Sequence, residues 1–408
     1  MTSLSNSRRW TLVGLLFLAA LINYLDRATL SIALPAISND FSLNPTSEGL
    51  LLSAFFWSYA LMQIPMGWLA DRWNLRWLYA GAFALLSLTC GLTGIVGSFA
   101  MLIFLRVLLG VGASIYMPGS TKVVSQTFPP EERGLPSGVF DSGTNAGLVV
   151  GMLFVAILVA KTGWRHMFML VGFLALIWII PWVLAFPHAL SEQHSTPKTD
   201  KGSLRGATLN RNLLGASLGY LCYSYFGYMT MAWLPDYFVK VRHLTLLKAG
   251  AFSALPFLVW AVSEPIGGWV ADTLIRRGMD STRVRKSTIA FSFVTGLLLI
   301  PGVWVRSETA ALVLICASSL VGFGAGNILA IFQICAPPQE VGTWMGVGNF
   351  TANIGGILSP LVTGIVISRT GSYFAGFALA PLVLLCGLAC FVFLVGKVQQ
   401  APSSVRTF

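Results

Sequence analysis

The sequence predicts an all-α integral membrane protein, with twelve transmembrane helices in two pseudo-symmetric six-helix bundles. Three observations carry that prediction. Of 408 residues, 55% are hydrophobic and only 10% charged, against about 25% charged in a soluble chain. Apolar runs recur from end to end, each with the roughly twenty residues needed to cross a hydrocarbon layer about 30 Å thick. Short motifs from the first half return in the same order after a polar stretch near the midpoint.

The runs fall at approximately 10–37, 47–70, 75–97, 99–126, 133–160, 163–186, 210–239, 247–275, 286–305, 308–335, 340–368 and 372–396. In lipid each must be a helix, because a lipid-exposed backbone has to satisfy its own N–H and C=O groups. The polar stretch 187–209 is rich in Ser, Thr, Lys and His and reads as a cytoplasmic linker. It separates one bundle, 1–186, from a second, 210–408.

Charge sets the orientation. The net charge is +11, yet the basic residues punctuate the apolar runs rather than line one face. That is the pattern of membrane topology, and nucleic acid is not an expected partner. With both termini placed in the cytoplasm, Arg8, Arg9, Arg72, Arg76, Arg276, Arg277 and Arg283 fall on the inside with other basic residues. Fewer fall outside, among them Lys161, Arg165, Lys240 and Arg306. A multi-pass protein of the cell (inner) membrane is the expectation. The first run continues through Asn23, Tyr24, Asp26 and Arg27 with no small-residue cleavage site, so no cleaved signal peptide is expected.

Several chemistries find no support. The six cysteines form no CxxC pair and lie in or beside apolar runs, as buried free thiols do. His166, His188, His194 and His243 are scattered and make no metal set. There is no phosphate-binding loop and no nucleophile elbow. Neither an enzyme nor a cofactor is expected.

The internal repeat rests on three pairs of motifs. Pro65-Met66-Gly67-Trp68-Leu69-Ala70-Asp71-Arg72 closes the second span, and Pro265-Ile266-Gly267-Gly268-Trp269-Val270-Ala271-Asp272 closes the eighth. Gly110-Val111-Gly112-Ala113 is answered by Gly322-Phe323-Gly324-Ala325, and Asn145-Ala146-Gly147 by Asn353-Ile354-Gly355. The offsets are about 201, 212 and 208 residues. Three ordered matches at nearly one offset point to a duplicated six-helix unit, a plan common among transporters.

The run from Gly67 to Arg72, with Arg76 beyond it, resembles the cytoplasmic loop signature of the major facilitator superfamily. Gly268 to Asp272, with Arg276 and Arg277, is its second copy. The family has Gly three residues after the Asp. Here Asn74 stands there, a residue that also tolerates a left-handed turn. The resemblance implies a gating role for Gly67, Asp71, Arg72, Arg76 and Asp272. A carboxylate at a helix end can meet a basic side chain or a helix N-terminus, and release it on opening. Within the superfamily, Asn23-Tyr24-Leu25-Asp26-Arg27-Ala28 is similar to the first span of the anion:cation symporters. Ser53-Ala54-Phe55-Phe56-Trp57, Phe128-Pro129-Pro130-Glu131-Glu132-Arg133-Gly134 and Trp233-Leu234-Pro235 extend the likeness.

That resemblance implies a secondary transporter taking up a small organic anion, such as a sugar acid or another carboxylate, together with a proton. The carrier is expected to work as a monomer in the bilayer by alternating access. Charges inside spans are costly and need a reason. Asp26 and Glu264 are the candidates for proton coupling. Arg27 and Arg106 suit a carboxylate, since a guanidinium can hold one through two parallel hydrogen bonds. Tyr24, Lys122, Asp141, Asn145, Tyr220, Tyr223, Asn349 and Asn353 complete the candidate substrate residues. The family places Glu seven residues after the Arg106 position, where this chain has Ala113. The alternative is an exporter of a drug, siderophore or metabolite. Gly143, Gly147 and Gly151 keep a spacing of four, but no Pro follows Gly147 as exporters tend to have.

Overall fold

The computed structural model describes residues 5–187, 190 and 210–399. The predicted linker lies almost wholly outside them. Among the described residues every regular element is helical. The first unit comprises residues 1–128 and 140–199, and the second 129–139 and 200–408. The short segment 129–139, from the first half of the sequence, thus belongs with the second unit.

The first unit is built from α1 (Asn6–Phe41), α2 (Pro45–Arg72), α3 (Leu75–Thr93), α4 (Phe99–Ala113), α5 (Tyr116–Thr127), most of α6 (Gly134–Ala175) and α7 (Ile179–Ala185). The predicted fourth span is two helices, α4 and α5, with a break at Ser114. The predicted fifth and sixth spans meet at Gly163, whose φ of 79° and ψ of 161° depart from the helix. Such a positive φ suits glycine, which has no Cβ to clash. The second unit holds α8 (Arg211–Lys240), α9 (Leu246–Arg276), α10 (Ser281–Gly296), α11 (Leu299–Trp304), α12 (Glu308–Ser318), a 3₁₀ turn (Ser319–Gly324), α13 (Ala325–Cys335), α14 (Val341–Thr370) and α15 (Tyr373–Ala389). Pro256 and Pro265 sit inside α9 without ending it.

Local chemistry explains where the helices start. Ser98, Thr245, Asp280, Ser307 and Ser372 each cap a helix with the side-chain oxygen on a backbone N–H. Such a cap satisfies one of the donors that a helix start leaves over. Asn74 does the same for α3, accepting from the Arg76 N–H at 3.1 Å. Its φ is −61°. Asn stands there as a cap, in extended rather than left-handed backbone.

Ten helical stretches of the described residues are long and apolar enough to cross a membrane. Span 210–239 is helical but more polar than these, its apolar sequence broken by Tyr220, Tyr223 and Tyr225. Large apolar side chains face outward elsewhere, Leu184 being 78% exposed. In a lipid solvent that is the expected arrangement.

The repeated motifs pack alike. A Cβ on Gly110 would lie 2.5 Å from the Phe55 carbonyl oxygen of α2, and one on Gly322 would lie 2.9 Å from the Trp260 carbonyl oxygen of α9. Gly112 meets α3 at Ala82, and Gly324 meets α10 at Ser292. Gly147 would touch the Leu21 carbonyl oxygen at 2.3 Å, and Gly355 that of Leu221 at 2.6 Å. Small residues let helix backbones approach closely in lipid. Gly143 and Gly147 therefore bring α6 onto α1, which accounts for their spacing by packing.

Candidate functional site

The first unit gathers its charges from α1, α4 and α6. Asp26 on α1 is buried, and its carboxylate is met by the Thr29 hydroxyl and the Cys90 thiol. Arg106 is the stronger of the cations acting on it, and Arg27 the weaker. Next in sequence to Asp26, Arg27 points elsewhere, as the turn of about 100° per helical residue requires. Its guanidinium lies 4.3 Å from the Tyr24 ring, 4.4 Å from Tyr59 and 4.9 Å from Phe55. Phe55 and Tyr59 are four residues apart on α2 and stack at 5.2 Å. Three rings thus box one cation, and each negative face attracts it.

Arg106 on α4 is 2% exposed and sits 5.2 Å from the Phe168 ring. Its Nε and Nη2 are buried and have no hydrogen-bond partner among the described residues. Those two N–H groups are donors placed in a low-dielectric core, where an anion would satisfy them. Asn23 points its amide at the Ala113 carbonyl oxygen, 3.5 Å away. A neutral donor thus reaches the backbone of Ala113, the residue that stands where the resemblance implies Glu. Asp141 and Asn145 on α6 are buried too, with Asp141 bonded to Tyr116.

The second unit gathers rings and amides. Tyr223 on α8 accepts from the Trp260 indole N–H at 2.7 Å and packs edge-on to that ring. Tyr220 lies 6.1 Å from Tyr223 and 6.0 Å from Phe332. Glu264 on α9 is buried, 1% exposed. On α14, Asn349 and Asn353 are one helical turn apart. The Asn353 amide donates to the Asn349 carbonyl oxygen at 2.7 Å, so one of its bonds stays within its own helix.

The loop motifs lead to ion pairs. Lys122, read from the sequence as a substrate residue, lies 2.7 Å from Asp71, and both side chains are buried. This joins it to the gating motif. Arg72 stacks over Trp68 at 4.5 Å and Arg76 over Trp77 at 5.3 Å. Gly67 is buried within α2. In the second unit Asp272 accepts from the backbone N–H groups of Gly134 and Leu135, at 3.1 and 2.7 Å. It also accepts from Arg285 at 3.1 Å. The carboxylate therefore caps the first turn of α6 and neutralises a buried guanidinium at once. Arg285 reaches Asn327 at 3.0 Å and the Pro130 carbonyl oxygen at 3.0 Å. Arg133 donates to the Gln333 carbonyl oxygen at 2.8 Å, and the Gln333 amide to Ser137 at 2.9 Å.

Sequence reasoning missed Tyr59, Cys90, Trp260 and Arg285 as parts of these clusters. The spacing of four from Phe55 could have found Tyr59, since such residues share a helix face. Arg285 falls just before the predicted ninth span, 286–305, and in the structure it lies one turn inside α10. Cys90 carried no signal beyond its place in an apolar run.

Comparisons with known proteins agree with one another. The sequence profile of the Major Facilitator Superfamily matches residues 16–337. The chain is 28% identical to the "Probable galactarate/D-glucarate transporter GarP" of Escherichia coli (strain K12), over 96% of each chain. It is 32% identical to the "Probable galactarate/D-glucarate transporter GudP" of Pseudomonas putida, over 89% of this chain and 86% of that one. Among solved structures it resembles FucP, a transporter of the same superfamily captured in the outward conformation, with a TM-score of 0.75 and 15% identity. That match covers 95% of this chain and 99% of FucP.

Proposed function

The chain belongs to the Major Facilitator Superfamily, and from that premise we propose that it is a proton-coupled symporter of a small organic anion. A sugar acid is the class that best suits the charges on hand, and relatives named for galactarate and D-glucarate transport support it. One observation carries the reading. Arg106 is buried in the first unit with two N–H donors unpartnered, and it acts on a buried carboxylate, Asp26. A carboxylate substrate would take those donors in a paired, charge-assisted contact. Arg27 would add a second positive charge, aimed by Tyr24, Phe55 and Tyr59.

Asp26 is the proposed proton carrier. When ionised it competes with the substrate for Arg106. When protonated it releases that cation to the anion and removes one charge from the membrane interior, where charge is costly. The loaded carrier can then reorient, by alternating access. Glu264 is the second proposed proton carrier. Asp141, Asn145, Tyr220, Tyr223, Asn349 and Asn353 are proposed to meet the hydroxyl-bearing part of the substrate. Lys122–Asp71 and Asp272 with Arg285 are the proposed gate contacts. The protein is proposed to act as a monomer in the cell membrane with both termini cytoplasmic.

The test uses proteoliposomes holding the purified carrier and a panel of sugar acids. Asp26→Asn should lose accumulation driven by a pH gradient and keep exchange of labelled for unlabelled substrate. Accumulation driven by pH that matches the unaltered protein would refute the coupling role. Arg106→Ala should lose both activities, and retention of both would refute the anion-binding role.

A further inference from the structure

A groove of about 250 Å³ opens on the second unit where the end of α9, the start of α10 and the 3₁₀ turn meet. Its walls include Leu274, Met279, Phe291 and Phe323, with Arg283 and Ser287 also in the lining. Met279 and Phe291 are 52% and 54% exposed. The Phe291 and Phe323 rings meet edge to face at 5.5 Å. Phe323 is seated there because Gly267 lets the 3₁₀ turn lie directly on α9: a Cβ on Gly267 would fall 1.9 Å from the Phe323 carbonyl oxygen.

Cations outnumber carboxylates around the groove. Arg283 is exposed and makes no ion pair among the described residues. Arg276 and Arg277, also exposed, end α9 two and three residues beyond Leu274. The nearby carboxylate, Asp280, is engaged as the cap of α10, accepting from the Arg283 backbone N–H at 2.8 Å. A pocket apolar in depth and cationic at the rim selects an amphiphile with an anionic head. Its volume is on the order of eight waters, room for a stretch of acyl chain. A partner helix, about 10 Å across, would need a far wider seat. The groove also lies where two membrane-spanning helices end, at the level where lipid headgroups sit.

We infer that this groove binds one anionic glycerophospholipid, its acyl chain against Leu274, Phe291 and Phe323 and its phosphate on Arg283. The site lies between the two helix ends that carry the buried pair Asp272 and Arg285. Leu274 follows Asp272 by two residues, and Arg283 precedes Arg285 by two. A bound lipid therefore braces the pair from outside and ties the stability of this unit to membrane composition.

The test is thermal unfolding of the full-length protein in detergent. It is titrated with phosphatidylglycerol, with phosphatidylcholine of the same chains, and with glycerol 3-phosphate. Phosphatidylglycerol should raise the midpoint saturably, phosphatidylcholine much less, and glycerol 3-phosphate not at all. Arg283→Gln should weaken the phosphatidylglycerol response about fivefold, the usual effect of one cation at an anionic surface. Ser287→Trp, which fills the groove from an exposed position, should abolish it. Native mass spectrometry of the unaltered protein should retain one phosphatidylglycerol. Equal responses to the two phospholipids would overturn the inference. So would an unchanged response in both variants, or a shift reproduced by glycerol 3-phosphate, which would make the groove a plain anion patch.

Discussion

The guanidinium of Arg27 has three aromatic neighbours within 5 Å, which fixes its direction better than a single ion pair could. Cation–π contacts are worth about 0.5–1 kcal/mol at exposed sites and about 2 kcal/mol when desolvated. Tyr59→Leu should therefore raise the KM for the transported anion by about two- to thirtyfold, with a smaller effect on the maximal rate. Tyr59→Phe keeps the ring and should keep most of the affinity. Initial-rate uptake at varied substrate concentration checks both. At this scale the charged members of the cluster were legible in the sequence, because Asp26, Arg27 and Arg106 each interrupt an apolar run at a cost that demands a reason. Their partners were not legible. Lys122 and Asp71 are 51 residues apart, and nothing local in either stretch announces the other. The same holds for Arg285 and Asp272, and for the rings that hold Arg27.

Helix contacts turn on a few glycines, and the repeat makes the rule testable. Gly267→Ala would put a methyl group 1.9 Å from the Phe323 carbonyl oxygen, and α9 would have to move away from the 3₁₀ turn. A cost of about 1–3 kcal/mol is expected from such overpacking, read as a lower unfolding midpoint in detergent. Gly81, on α3, has nothing within 4 Å of its would-be Cβ. Gly81→Ala should leave the midpoint unchanged or raise it, since Ala is favoured over Gly in a helix by about 0.5–1 kcal/mol. Equal losses in the two variants would mean that backbone flexibility, rather than close approach, sets the response. The existence and order of the helices were readable from apolar runs, because lipid leaves the chain no other choice. The interruptions were not. The break at Ser114 and the 3₁₀ turn depend on what each helix packs against, and the runs continue through them without a mark, whereas the bend at Gly163 falls at the predicted boundary between the fifth and sixth spans.

On the scale of the whole molecule, the segment 129–139 comes from the first half of the sequence and packs with the second unit. The duplicated motifs announced two halves, yet no periodicity could assign this connector, because its place is set by polar contacts between residues far apart in sequence. Asp272 holds the Gly134 and Leu135 N–H groups, Arg285 holds the Pro130 carbonyl oxygen, Arg133 holds that of Gln333, and the Gln333 amide holds Ser137. Asp272 makes the first of these contacts and, through its pair with Arg285, supports the second. Removing it leaves Arg285 buried without its counter-charge and the first turn of α6 without its acceptor. Breaking a buried pair in this way costs about 3–5 kcal/mol. Asp272→Ala should thus lower the unfolding midpoint and release the connector. Arg133 is 4% exposed and should resist trypsin in the unaltered protein. In Asp272→Ala, cleavage after Arg133 should appear well below the unfolding midpoint. Asp272→Ala combined with Arg285→Ala removes the uncompensated charge and should recover part of the stability, while the connector stays open to trypsin because its N–H groups still lack an acceptor. If cleavage in both variants begins only with global unfolding, the connector is held by packing instead, and the polar contacts merely accompany it.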